Sequence, residues 1–342
     1  MRTILVGTKK GLFLIRDGEL AGPELSGWSI FHAIRDPRDG VLYAASNNMV
    51  YGGTVHRSAD DGSSWDRAEQ IELPGHELGE VWHVEPGHAS EPRTLFLGAA
   101  PGALFRSEDS GVSWIAVTGL VEHATRDRWM PGAGGMCCHS IQIDPVSPRR
   151  MYVAISAAGA FRSDDAGETW APINNGVAAD FSPEPFPEVG QCVHKLLLHP
   201  ADHERLWQQN HCGVYRSDDA GESWERLEGN GLPSGFGFPI ALDPDDPDVA
   251  YVIPEDGAEN RVTSDGRLGV YRTGDGGASW ALYADGLPEH AWSVVLREGM
   301  AWDRQGPVLG TQSGSVWALR DGRWSELARD LPPILSVELG SS

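Results

Sequence analysis

One short pattern governs what this chain can fold into. Ser/Thr-x-Asp-x-Gly-x-Ser/Thr-Trp recurs five times, at Ser58–Trp65, Ser107–Trp114, Ser163–Trp170, Ser217–Trp224 and Thr273–Trp280. Four steps separate Trp65 from Trp280, a mean period of about 54 residues, which is in the range of propeller blades. In each copy the Asp carboxylate is placed to accept backbone N–H bonds and the Gly is free to take positive φ, so the two close a tight turn. The Ser or Thr hydroxyls tie that turn, and the Trp offers a large face to pack between sheets. Short strands closing on Arg-Ser or Arg-Thr precede the copies, through Leu104-Phe105, Ala160-Phe161, Val214-Tyr215 and Val270-Tyr271.

Two more strand candidates lie upstream of each hairpin. For the third copy they are Ser140–Ile143 and Met151–Ile155; for the fourth, Lys195–Leu198 and Leu206–Gln209. Four short antiparallel strands per repeat is the content of a propeller blade. Degenerate copies stand at both ends: Gly11–Ile15 with Asp17-Gly18 and Trp28, and Ser315–Leu319 with Asp321-Gly322 and Trp324. The last strand, Ile334–Leu339, has no hairpin after it, and the N-terminal hairpin has no inner strand before it. Pairing the two removes both exposed edges. The expected fold is all-β: a seven-bladed β-propeller, one domain over residues 1–342, closed by its N- and C-terminal strands.

Composition narrows the partners. The 27 Lys and Arg against 49 Asp and Glu give a net charge of −22, which argues against nucleic acid and against an anionic membrane. No apolar run approaches the ~18 residues of a membrane span. The opening MRTILVGTKKGLFLIRDG lacks a long apolar region and a small-residue cleavage site, so a cytoplasmic protein with four reduced cysteines is expected. A closed ring needs no partner for stability, and the expected state is a monomer or weak homo-oligomer.

The five boxes match the Asp-box (BNR) repeat of sialidases, sortilin-type receptors, xyloglucanases and a photosystem assembly factor. The whole chain also resembles a family of bacterial Asp-box proteins labelled glycosyl hydrolase or exo-alpha-sialidase. The resemblance is carried by Gly134–Pro145, Val189–Pro200, Gln209–Gly221, Gly235–Ile240 and Leu331–Leu339. It implies a sialidase-like fold rather than a reaction. Sialidases use an arginine triad, an early Arg-Ile-Pro and a Tyr/Glu nucleophile pair. This chain has no Arg-Ile-Pro, and Arg35-Asp36-Pro37 belongs to a strand-end turn. Arg126, Arg128 and Arg261 are the arginines available to converge. Xyloglucanases pair two such propellers around a cleft, and this chain has one.

The innermost strand of each blade starts at one mouth of the channel, with the Asp boxes on the opposite face. Counting six residues back from the proline that ends each inner strand gives His139, His194, Glu80, Phe238 and Phe31. A gap-free alignment on the outer hairpin instead puts His83 opposite His139, and both alternatives stay open. The turn Gln209–Gly213 adds Asn210, His211 and Cys212 at the same mouth, and every cysteine lies within two residues of a histidine. Imidazoles beside a carboxylate form a divalent-metal ligand set, so His83, His139, His194 and His211 are candidate ligands for Zn, Mn, Ni or Cu. Against this, a strand histidine is more often a hydrogen-bonded core residue.

Long inserts at 117–138, 172–192 and 253–269 frame the mouth, and long ordered loops tend to be functional. They bring Arg128, Trp129 and Arg261 forward as substrate contacts, alongside Asn47 and Asn210 from the inter-strand turns. Glu80 and Glu188 are the candidate catalytic carboxylates, with Asp180 and Glu184 as further acids. The leading expectation is a metal-dependent, hydrolase-type enzyme acting on a small polar or carbohydrate-like molecule. The alternatives are a non-catalytic ligand- or protein-binding propeller, and a glycoside hydrolase using paired carboxylates.

Overall fold

In the computed structural model, which describes residues 3–132, 134–303 and 305–340, each Asp box folds as one hydrogen-bonded knot. In the fourth copy the Ser217 hydroxyl donates to Asp219 Oδ1 at 2.7 Å and accepts the Gly221 N–H at 2.9 Å. The same carboxylate accepts the Ser223 N–H at 2.9 Å and its hydroxyl at 2.6 Å. Gly221 takes φ +91°, and a Cβ there would lie 2.7 Å from Ile173 Cδ1 of the preceding blade, so the turn demands glycine. Trp224 and Trp280 reach back as well, donating Nε1–H to Ile173 O at 2.6 Å and to Leu227 O at 2.9 Å. The box therefore closes its own hairpin and fastens its blade to the one before.

The described residues form 28 strands in seven four-stranded antiparallel sheets. Blades 1 to 6 run consecutively from the innermost strand outwards, beginning with Ser29–Arg35, Val81–Pro86, Cys138–Ile143, Val193–His199, Gly237–Leu242 and Met300–Asp303. Blade 7 is built from both ends of the chain. Ile334–Gly340 lies innermost against Thr3–Thr8, with Val6 opposite Val337 and Ile4 opposite Leu339, followed by Gly11–Arg16 and Glu19–Glu24. The ring is closed by these terminal strands. The degenerate repeats turn on Asp17-Gly18 and Asp321-Gly322, both pairs with positive φ, as two-residue hairpin turns require. No described helix is long and apolar enough to cross a membrane.

Burial is distributed around the ring. Seven hydrophobic clusters each span two neighbouring blades: Tyr43 and Val55 of blade 1 pack with Leu97 and Phe105 of blade 2, and Leu5 and Leu14 of blade 7 meet Ile30 and Leu42 of blade 1. Such inter-blade burial is the main favourable term for a sheet that buries both faces.

The inner strands share one irregularity at their mouth ends. Pairing skips a residue between Ile30 and His32, Val81 and His83, Cys138 and Ser140, and Val193 and Lys195. A related break falls between Gly237 and Ile240, and another in the closing strand around Leu335. These bulges free Phe31, Trp82, His139, His194, Phe238 and Leu335 from the ladder at equivalent positions. Counting back from the proline thus locates the level correctly in blades 1, 3, 4 and 5, but not in blade 2. There Pro86 itself occupies the last rung, opposite Leu95, whereas Pro145 lies two residues beyond the corresponding rung of Ile143 with Met151. Trp82, and neither Glu80 nor His83, stands level with His139.

Removing the Ser217 hydroxyl by Ser217→Ala leaves the buried Gly221 N–H without its acceptor. A loss of about 1–3 kcal/mol is expected, read as a lower urea midpoint with an unchanged slope.

Candidate functional site

The bulged histidines have different fates. His139 is 0% exposed; its Nε2–H donates to Val193 O of blade 4 at 2.9 Å, and Nδ1 meets the Ser140 hydroxyl at 3.1 Å. Ser140 also accepts the Leu196 N–H at 3.2 Å, so the pair pins blade 3 to blade 4. Burial holds the His139 pKa well below the usual imidazole range. With both nitrogens engaged, His139 is a structural pin and not a metal ligand. His194 donates Nδ1–H to Gly237 O of blade 5 at 2.6 Å and stacks on Phe238 at 4.5 Å. Burial, then Arg297, lowers its pKa to about 3, and the lone pair stays on Nε2.

His194 lies in the wall of a cavity of about 480 Å³ that also draws in Cys192, His211, Phe238, Arg128, Arg261 and Arg297. His211 packs edge-on to His194, Phe181 and Phe236 with ring centroids 5.2–5.8 Å apart, and burial, then Arg261, keeps it neutral by lowering its pKa. Burial pushes the Cys192 thiol up, and Arg297 opposes that shift. Arg297 donates to Cys137 Sγ at 3.2 Å and lies over the Trp82 ring at 5.0 Å. Arg261 lies over Phe238 at 5.8 Å and donates to Ala258 O at 3.3 Å. Among the described residues neither arginine pairs with a carboxylate, whereas Arg128 is tied to Glu188. Exposed Met130 and Phe181 form part of the rim.

A second chamber of about 160 Å³ shares Phe238, Arg261 and Arg297 with the first and adds Phe31, Trp82, Leu335 and Glu298. One rung further along the inner strands sits a buried ionic cluster. Lys195 Nζ lies 2.5 Å from Glu298 Oε2, and His83 Nδ1 lies 3.4 Å from Glu298 Oε1. His83 stacks on His32 at 3.9 Å and reaches Glu85 through Nε2 at 3.3 Å. Burial alone would raise the Glu298 pKa, but Lys195 and His83 carry it well below the carboxylate range. Burial likewise opposes the charge on His83, and Glu298 outweighs it and raises the pKa, while burial and His83 together lower that of His32.

Several expected contacts turn out to be structural. Asn47 exchanges two hydrogen bonds with the backbone of Val81, clasping blade 1 to blade 2. Asn210 is fully buried and caps its own turn through the Cys212 N–H. Trp129 is a core residue, with Nε1–H on the Thr125 hydroxyl at 2.9 Å and Arg126 over its ring. Glu80 is exposed, its carbonyl accepting the Ala100 N–H. Glu184 is exposed, and Asp180 faces Arg226 at 3.6 Å. Arg128 and Arg261 do meet in one cavity, but Arg126 is drawn away by the carbonyls of Pro101 and Gly102.

Three residues escaped sequence reasoning, whereas Cys192 lies at the mouth to which its spacing from His194 points. Lys195 had a signal, as a lone cation in an apolar inner strand. Arg297 and Glu298 sit ahead of Met300–Asp303, where no Asp-Pro marks the strand end.

No family profile matches the sequence. A xyloglucanase of Acetivibrio thermocellus is 26% identical over 274 residues, covering 70% of this chain and 30% of the enzyme. The other curated relatives matched, at 23–25% identity, are likewise named xyloglucanases. Among solved structures, a xyloglucanase from Xanthomonas campestris superposes with a TM-score of 0.69 at 20% identity, over 96% of this chain and 52% of that one. The periplasmic gluconolactonase of Pseudomonas aeruginosa gives 0.64 at 14% identity, over 99% and 98%. The chain thus spans about half or less of the xyloglucanases it matches, and at these identities the structural likeness establishes the propeller alone.

The third insert carries a further acid beside Arg261. Glu255 is 1% exposed, both carboxyl oxygens lack a hydrogen-bond partner among the described residues, and burial raises its pKa to about 7. The folded state therefore holds this proton between about pH 4.5 and 7 while the unfolded chain releases it, so stability falls as pH rises through that window. Glu255→Gln is expected to match the wild type below pH 4.5. Above pH 7 it should be more stable by about 1–3 kcal/mol, checked by denaturant melts at pH 4.5 and 8.

Proposed function

We propose that this propeller recognises a small acidic saccharide in the mouth cavity between blades 3 and 5. The observation that carries the reading is the pair Arg261 and Arg297, two cations that form no ion pair with a carboxylate among the described residues, in one cavity of a chain with net charge −22. A guanidinium fork binds a carboxylate through two parallel hydrogen bonds, and the partly desolvated cavity strengthens them. Phe238, Phe181 and the neutral imidazoles of His194 and His211 supply the apolar faces and single polar contacts that a sugar ring needs. Xyloglucanase homologues support carbohydrate as the ligand class.

Binding is favoured over metal-dependent hydrolysis as the primary role. Of the acids near the cavity, Glu298 is held ionised by Lys195 and Glu188 is committed to Arg128, while the protonated Glu255 beside Arg261 does not line the cavity, so none is placed to give a proton to a ligand there.

Calorimetric titration with glucuronate and with glucose tests the reading. Glucuronate should bind in preference to glucose and weaken with salt, and Arg261→Ala and Arg297→Ala should each weaken it by about 10–100-fold. Equal binding of the two sugars, or arginine variants that bind normally, would overturn it. Saccharide cleavage in the same samples, assayed with acidic xylan fragments, would add hydrolysis to recognition.

A further inference from the structure

The wall of the mouth cavity contains a second kind of site. Cys192, His194 and His211 each present one donor atom, and these three atoms lie within 4.8 Å of one another. We propose that they bind a zinc ion with its remaining coordination position open to the cavity. The inference stands whether or not the cavity takes an acidic saccharide.

Three features support the assignment. Thiolate with two imidazoles is a borderline-soft donor set suited to Zn²⁺. Ligand atoms around a tetrahedral zinc stand about 3.3–3.6 Å apart, given bonds of about 2.0 Å to nitrogen and 2.3 Å to sulfur, so small side-chain rotations close the triad. The donation from His194 Nδ1–H to Gly237 O is the outer support that a metal-bound imidazole uses, setting the tautomer and the ring plane. His211 has no hydrogen-bond partner for its ring among the described residues and packs edge-on to His194, Phe181 and Phe236, which leaves its nitrogens free to ligate.

Prior engagement of the donor atoms distinguishes the other cluster of possible ligands, His32, His83 and Glu298, from this triad. There the Lys195 ammonium already occupies the carboxylate at 2.5 Å, and a second cation would meet it directly. At Cys192 the incoming ion displaces the thiol proton to solvent, and the thiolate it creates offsets one of the ion's two charges. Arg261 and Arg297 lie on the cavity side, so the surplus positive charge faces the open position and calls for an anion as the fourth ligand.

The test uses Co²⁺ as a spectroscopic stand-in on the full chain after chelator treatment. Wild type should take up one equivalent and show a thiolate-to-cobalt charge-transfer band with intense tetrahedral d–d bands, which Zn²⁺ then displaces. Cys192→Ser should lose the charge-transfer band, and His211→Ala should weaken uptake by at least tenfold, with far-UV spectra and melting temperatures of the metal-free variants showing them folded. Cys212→Ser, whose sulfur instead accepts the Asp180 N–H, should behave as wild type. Absence of uptake, uptake without the thiolate band, or a band that survives Cys192→Ser would overturn the assignment.

Discussion

The bulge at the mouth end of the inner strands is the constraint on which the site depends. An unbroken ladder would send alternate side chains into the two blade interfaces and leave the mouth lined by backbone. Skipping one residue in five blades and two in blade 5 releases a side chain in all but one of the seven sheets, and the ring gathers them at one level. What each sequence places there decides its use. Phe31, Trp82, Phe238 and Leu335 make an apolar collar, His139 a pin between blades, and His194 a wall of the cavity. The Asp boxes, on the far face, hold the blades in phase without taking part.

Electrostatics is layered along the axis. The outer surface is acidic, the cavity between blades 3 and 5 is basic, and the channel beyond it carries the Lys195, Glu298 and His83 network. A buried network of this kind contributes little net stability, since desolvation offsets most of its Coulombic gain. It does set charge states: Glu298 stays ionised with its partners beneath the chamber, so its charge is spent locally and the arginines above remain available. Acidic surroundings also raise the selectivity of such a cavity, because anions reach it only where Arg261 and Arg297 are uncovered.

The architecture was fully legible in the sequence, because each Asp box encodes its turn locally and the period counts the blades. Closure was legible for the same reason, through an unpaired last strand and a first hairpin lacking its inner neighbour. The candidate site was legible only in part. Its location, its histidines His194 and His211, and Arg128 and Arg261 follow from strand ends and insert lengths. Trp82 was hidden because Pro86 stands on the ladder rung that Arg35, Ile143, Leu198 and Leu242 fill in blades 1, 3, 4 and 5, so a fixed count from proline lands two residues early. Hydrogen bonding was the other blind spot: Asn47, Asn210 and His139 look like ligand contacts in sequence, but the neighbouring blade engages Asn47 and His139, and Asn210 is engaged within its own turn. Arg297 and Glu298 arrive from a connector with no repeat signature, and tertiary closure alone brings them to the mouth.

The central claim is that the basic cavity, rather than the apolar collar or the acidic rim, receives the ligand. A crystal structure grown with glucuronate tests it most directly. The sugar is expected in the cavity beside His194 and His211, its carboxylate between the guanidinium groups of Arg261 and Arg297. Glucuronate bound elsewhere on the propeller, or seated with its carboxylate turned away from both arginines, would contradict it.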